Sequence, residues 1–197
     1  MVDFYNVRHI YINIVYNIYY KKMINIIVAH GRRKGIGIGN KLPWLLKKDI
    51  VNFKNLTIGD GNNSVIMGRR TWDSLPKSAR PLPNRYNIVV SKSIKLEVEM
   101  YPNCKVVSSI TEALDYSKKK KFDKTWAIGG AGIYDGVLEH GNINEIHVTN
   151  VDSSLSCDTF FPDITKDYDI IQATPWMTEN NLDYRFEIHI KRMPGLG

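Results

Sequence analysis

Cysteine is scarce: Cys104 and Cys157 are the only two in 197 residues, far apart and outside any Cys-x-x-Cys pattern. That spacing argues against a disulfide framework and leaves two reduced structural thiols. The five histidines form no ligand-spaced cluster, so no metal site is expected. No apolar run approaches the roughly 20 residues of a membrane span, so the chain reads as soluble, with the cytoplasm as its expected compartment. A signal peptide is lacking as well, because the lysines of the first 22 residues come at their end and no small-residue cleavage site follows. Neither an internal repeat nor an interdomain linker is visible. One domain accounts for the length, enough to bury roughly 70% of the unfolded surface.

What is present is an ordinary globular composition, 43% hydrophobic and 24% charged, with a net charge of +7. Part of the excess is local, in Lys21, Lys22 and the run from Lys118 to Lys121, and such runs are usually solvated faces. The charge suits either a nucleic-acid binder or an enzyme that handles polyanions. Residues 1–22, dominated by Tyr, Ile and Asn, read differently from everything after them. Met23 is the expected start of the domain. The segment before it is an appendage, disordered, added to an edge of the fold or arising from an upstream start; a partner-binding strand is the alternative.

The stretch from Leu42 to Leu56 organises the rest. Pro43 suits the approach to a helix, and Leu46, Ile50, Phe53 and Leu56 recur at three- and four-residue spacing, which predicts an amphipathic helix. Asp49 lies four residues before Phe53, at the border of the stripe that should face apolar core. A carboxylate there needs a partner. Either it bonds a backbone group or basic neighbour, or it lies at the floor of an apolar pocket awaiting a ligand's N–H groups.

Around this helix the pattern alternates strand and helix. Ile24 to His30 and Ser64 to Gly68 read as buried parallel strands. Between Gly31 and Lys41 the glycines do not complete G-x-G-x-x-G, and a mobile lid over a pocket competes with a plain connection. Arg69 and Arg70 open a short helix at a strand's carboxyl end, an arrangement that suits anions. The turn from Arg80 to Arg85 feeds the strand Tyr86 to Ser91, with Lys92 offering a second cation where that strand finishes. Cys104 to Ser108 is a further strand and Ile110 to Tyr116 a helix. From Thr125 to Tyr134 the chain passes from strand through Gly129, Gly130 and Gly132 into helix, as phosphate cradles do, although close packing also selects glycine there. Asn144 to Val151 is another strand, Cys157 to Asp163 a loop, and the segments Asp169 to Thr174 and Tyr184 to Arg192 suit an antiparallel edge hairpin.

In this order the segments resemble dihydrofolate reductase, from about Met23 to Arg192. The resemblance rests on Ile-Ile-Val-Ala (26–29), Leu-Pro-Trp (42–44) with Asp49 and Phe53, Val-Ile-Met-Gly-Arg-Arg-Thr-Trp (65–72), Arg-Pro-Leu-Pro-Asn-Arg (80–85), Ile-Gly-Gly-Ala-Gly-Ile-Tyr (128–134), Val-Thr (148–149) and Asp-Thr-Phe-Phe-Pro (158–162). It implies a single α/β domain over residues 23–192 with a short tail, 193–197. The expected architecture is an eight-stranded, mostly parallel twisted sheet with an antiparallel C-terminal strand and about four flanking helices.

The resemblance further implies reduction of dihydrofolate by NADPH. Asp49, Thr149 and Trp44 match the catalytic set, Asp49 gripping the pterin and assisting its protonation, Thr149 supporting the carboxylate. Ile50, Phe53, Leu75 and Leu82 match the substrate's walls, Arg85 the partner of its glutamate carboxylate, and Ile27, Val28 and Ile128 carbonyls that complete the pterin's contacts. For NADPH the matching positions are Ala29, Ile36, Gly37, Asn40, Lys41 and Leu42 around the nicotinamide and lid. Gly68, Arg69, Arg70, Thr71, Ser91 and Lys92 match the adenosine end. Ile128, Gly129, Gly130, Ala131, Gly132, Ile133 and Tyr134 match the strand-to-helix cradle. Hydride donor and acceptor would then be held roughly 3 to 3.5 Å apart.

Three departures stand out. Asp49 is the form resembling bacterial and protozoan members, whereas Leu42 and Asp-Thr-Phe-Phe-Pro look eukaryotic. Asn84 stands where glycine is common, which Asn tolerates by adopting positive φ. With no thymidylate synthase segment after Gly197, the chain looks monofunctional and is expected to be a monomer. A pyrimidine-type reductase of the same fold would lack the Leu-Pro-Trp and Asp49 pairing. A nucleic-acid module would interleave basic residues with exposed aromatics, whereas Arg69, Arg70 and Lys92 stand at strand ends; nucleic-acid binding is not required.

Overall fold

Ile24–His30 (β1) is buried at nearly every position, as a run of apolar, β-branched residues in the middle of a parallel sheet should be. The computed structural model describes residues 24–93, 98 and 100–192. The extension 1–22, the start at Met23 and the tail 193–197 lie outside the described residues. Beyond β1 the elements are β2 (Gly35–Gly37), α1 (Lys47–Ile58), β3 (Ser64–Gly68), α2 (Arg69–Ser74), a short 3₁₀ turn (Lys77–Ala79), β4 (Tyr86–Val90) and β5 (Cys104–Val107). They continue with α3 (Ile110–Lys120), β6 (Thr125–Ala127), α4 (Ala131–His140), β7 (Ile143–Val151), β8 (Thr159–Phe160), β9 (Tyr168–Ala173), β10 (Met177–Glu179) and β11 (Leu182–Lys191).

The main sheet runs β10-β11-β7-β1-β6-β3-β4-β5, with β9 pairing β11 as well. Strands from β7 through β5 are mutually parallel; β11 is antiparallel to β7, and β9 and β10 are antiparallel to β11. This is the expected mostly parallel sheet with an antiparallel C-terminal edge, carrying nine strands because β9 and β10 share one side of β11. The glycine-rich stretch expected to be a lid begins as β2, paired with β8, which lies inside the segment read as a loop. Helix α3 extends through Lys120, so the lysine run is mostly its last turn, where cations suit the helix dipole.

Alternation along β1 divides the core. Ile24, Ile26 and Val28 join the face covered by α3 and α4, together with Val137, Ile146 and Val148. Ile27 joins Val65, Met67, Trp72 and Trp126 on the other face, which α1 and α2 cover. The carboxyl ends of β1, β3, β4 and β6 thus meet one another, where ligands of open parallel sheets bind.

Candidate active site

Asp49 is the third residue of α1, half-buried, and its Oδ1 accepts a hydrogen bond of 2.6 Å from Thr149 Oγ1. Thr149 is buried on β7 between Ala29 and Phe186 of the neighbouring strands. Burial raises the Asp49 carboxyl above the ordinary carboxylate range; the Thr149 bond opposes this and the Glu179 charge adds to it. Tyr134 Oη donates to the Ile27 carbonyl at 2.9 Å, and burial followed by the Asp49 charge pushes the phenol up. Val28 directs its side chain to the opposite face, so only its backbone is available here. Trp44 is buried beside Leu46, Val151 and Tyr184, and its Nε1 has no hydrogen-bond partner among the described residues.

The apolar stripe of α1 differs from expectation. Ile50 is 49% exposed, Phe53 and Leu56 are only partly covered, and within the helix Thr57 alone is fully buried. Phe53 and Leu56 pack against the core of this face while Ile50 lies open, so the stripe is part core and part surface wall. Leu42 is 59% exposed.

Arg85 stands at the other end of this wall, 5% exposed. Its Nη1 donates to Thr57 Oγ1 at 2.6 Å and its Nε to the Pro83 carbonyl at 3.0 Å, and the guanidinium lies 5.7 Å from the Phe53 ring centroid. No carboxylate of the described residues pairs with it, and burial lowers it to about 10. Asn84 takes φ 58, the left-handed conformation anticipated for it. Asn87 organises the turn by bonding the Leu82 N–H and carbonyl, each at 3.0 Å. Leu82 is buried and Leu75 partly so, both within the α1-side core.

At the ends of β6 and β3, α4 and α2 begin at Gly130 and Gly68 with no side-chain cap, leaving their first N–H groups free for a ligand. Gly129 has φ 104, and a Cβ there would sit 3.0 Å from Tyr134 Oη. Only glycine leaves that cradle open, and the Gly129–Gly130 peptide is cis. Ile128, Ala131, Gly132 and Ile133 continue the cradle. Arg69 bonds Ser93 Oγ at 2.6 Å and Asp73 at 3.3 Å; Lys92 is exposed and Ser91 partly buried beside it at the end of β4. The glycine-rich stretch after β2 is tethered: Gly39 N–H donates to Asp158 Oδ2 at 2.8 Å and Asn40 Nδ2 to the Arg70 carbonyl at 3.1 Å. Ile38 and Lys41 pair across the turn, which uses positive φ at Gly39 and Asn40. Gly37 receives the Asp158 N–H, Ile36 packs on the core and Thr71 flanks Gly130.

The family model described as dihydrofolate reductase matches residues 23–191. The chain belongs to the dihydrofolate reductase family of enzymes. The reductase of Heliothis virescens is 36% identical over 180 residues, covering 85% of this chain and 97% of that protein. That of Aedes albopictus is 31% identical over 184 residues, covering 86% and 98%. A bifunctional dihydrofolate reductase-thymidylate synthase of Arabidopsis thaliana is 36% identical over 179 residues, but the chain spans only 31% of it, as it spans about a third of the other bifunctional relatives.

The structure brings Asp49 against Thr149, Tyr134 against the Ile27 carbonyl and Arg85 against Phe53, and it adds contacts that sequence reasoning missed. Thr57, which holds Arg85, sits on the helix already singled out, four residues beyond Phe53; its hydroxyl at the stripe's end was a usable signal. Asp158, which tethers the lid, was visible only as part of a motif. Glu179 and Asn180 carried no signal at all.

Proposed function

We propose that the chain reduces 7,8-dihydrofolate to 5,6,7,8-tetrahydrofolate with NADPH, in the cytoplasm and as a monomer, supporting one-carbon metabolism and thymidylate synthesis. The observation that carries this is a pair of groups along one helix: the half-buried Asp49 carboxylate at its start, bonded to Thr149, and, against Thr57 and Phe53 near its end, a buried arginine with no carboxylate partner among the described residues. A ligand with N–H groups at one end and a carboxylate at the other complements both.

In this reading Asp49 receives the pterin's amino and ring N–H groups in a bidentate pairing, oriented by Thr149. Burial favours its protonated form relative to an exposed carboxylate, which suits a group that assists protonation of the ring nitrogen beside the carbon that is reduced. The carbonyls of Ile27, Val28 and Ile128 take the remaining pterin donors, and Trp44 closes the approach to Asp49. Ile50, Phe53, Leu75 and Leu82 hold the ring and linker, and Arg85 holds the glutamate α-carboxylate. The residues at the strand ends fit NADPH: Gly129 to Gly132 offer bare backbone for a pyrophosphate, and Gly68, Arg69, Arg70, Thr71, Ser91 and Lys92 offer donors and cations for a 2′-phosphate. When bound there, NADPH supplies the hydride. Ala29, Ile36, Gly37, Asn40, Lys41, Leu42, Ile133 and Tyr134 would flank the nicotinamide and exclude water.

Loss of NADPH absorbance on adding dihydrofolate tests this, with NADH and Asp49→Asn alongside. Dihydrofolate-dependent oxidation should prefer NADPH and fall by about 10²- to 10⁴-fold in the variant at neutral pH. Because the folded pKa of Asp49 is raised, its ionisation costs stability as pH rises through that value, so Asp49→Asn should unfold at higher denaturant concentration than wild type at pH 7 to 8. A folded protein that binds NADPH but oxidises none with dihydrofolate would overturn the substrate assignment.

A further inference from the structure

Helix α1 begins without a cap of its own: Leu46, at the capping position, has an extended backbone and no side-chain oxygen. The first N–H groups are taken instead by a residue more than a hundred positions away. Glu179 Oε1 accepts from Lys47 N at 2.7 Å and Oε2 from Lys48 N at 3.3 Å. Asn180 Nδ2 donates to the Leu45 carbonyl at 2.8 Å, so the tip of the β10–β11 hairpin grips both sides of the helix entry. That tip is itself held in shape. Asn180 and Asn181 form a two-residue turn with φ 53 and 60, and Glu179 pairs Leu182 in register.

We propose that Glu179 is a positioning residue for Asp49, acting through the first turn of α1 and through its own charge. The inference rests on the reading of Asp49 given above. Asp49 follows Lys47 and Lys48 in the same turn, so the plane in which Glu179 fixes their N–H groups also fixes the direction of the Asp49 side chain toward Thr149. The two carboxylates have opposite surroundings. The N–H groups of Lys47 and Lys48 hold Glu179 below the usual range, so it keeps its charge. Asp49, bonded to Thr149 and to no cation among the described residues, is disfavoured as an anion by burial and by that neighbouring charge. The charged and titratable groups that act on or sense Asp49 are Glu179 from β10, Tyr184 from β11 and Tyr134 from α4; Lys47 and Lys48 precede it in the same turn. Both tyrosines are pushed up and remain neutral. Burial is the main cause of the Asp49 shift, and Glu179 is the anion that adds to it.

The decisive measurement is the titration of Asp49 by carbon-13 NMR in the full chain, for wild type, Glu179→Gln and Glu179→Asp, with Asp183→Asn as a hairpin variant that does not touch α1. Glu179→Gln removes the charge and one acceptor, and should lower the Asp49 pKa by about half a unit to one unit. The alkaline limb of the hydride-transfer rate should move down by the same amount, a roughly three- to tenfold loss at pH 8, with KM for NADPH unchanged. Glu179→Asp keeps the charge and should recover most of the titration shift; Asp183→Asn should titrate like wild type. An Asp49 titration in folded Glu179→Gln that matches wild type overturns the proposal. Should the chain not reduce dihydrofolate, the functional reading fails alone, because the NMR titration needs no turnover.

Discussion

The glycine cradle and the Asp49 corner are built on different principles. The cradle at Gly129 and the cations Arg69, Arg70 and Lys92 come from local strand-to-helix transitions, each contained within about ten residues of sequence, and the cations lie at the surface. Arg69, for example, has a side chain 51% exposed. The Asp49 corner instead draws on β7, β10 and α1, elements up to 130 residues apart, and its key groups are buried or partly so. A surface cation contributes through a screened field, so losing one is a small, salt-dependent change. A buried carboxylate depends on each partner it has, and losing one leaves an unmet acceptor in low dielectric.

Substitutions at these two places should therefore differ in size and in salt response. Thr149→Val removes the hydroxyl from Asp49 and should cost about 1.5 to 3 kcal/mol of transition-state stabilisation, roughly ten- to a hundredfold in kcat/KM. Because the Thr149 bond lowers the Asp49 pKa, its loss should move the pH profile upward, opposite to Glu179→Gln, and the effect should persist in 0.5 M salt. At Gly129 the cradle is backbone, not charge: Gly129→Ala forces a Cβ against Tyr134 at φ 104 and should cost about 1 to 3 kcal/mol of stability, seen in urea titration, with NADPH affinity weakened about tenfold. Arg85→Gln should raise KM for dihydrofolate roughly tenfold while leaving a pterin without the glutamate tail unaffected, since the buried guanidinium is matched only to that carboxylate. The smallest change belongs to Lys92→Gln, a two- to threefold rise in KM for NADPH at low ionic strength that fades as salt is added. A Lys92 effect larger than that of Thr149 and indifferent to salt would break the comparison.

Legibility follows the same division. Strand β1, the arginines at the end of β3 and the glycines after β6 declared themselves because a parallel sheet imposes apolar runs and ligand-facing backbone imposes glycine, both local constraints. Asn84 was readable for a similar reason, since positive φ selects few residue types. Along the stripe of α1, Phe53 and Leu56 pack on the core as their spacing predicts, but Ile50, with equally good spacing, is open, because periodicity does not say whether anything covers a given turn of the helix. The tethering of the lid by Asp158 was equally hidden, because a hydrogen bond from Gly39 spans 119 residues and leaves no periodic trace.

The sequence by itself determined the order of the main strands and helices, though not the short strands β2, β8 and β10, together with the family and which residue types stand at the strand ends, because these depend on propensity, period and local backbone conformation. Tertiary structure alone decided that a helix with leucine at its start is capped by Glu179. It also decided that Thr149 meets Asp49 and that Arg85 is buried with no carboxylate partner among the described residues. Burial and the pairing of distant charges set the energy of a carboxylate, and both exist only once the sheet has brought β7 and β10 beside α1.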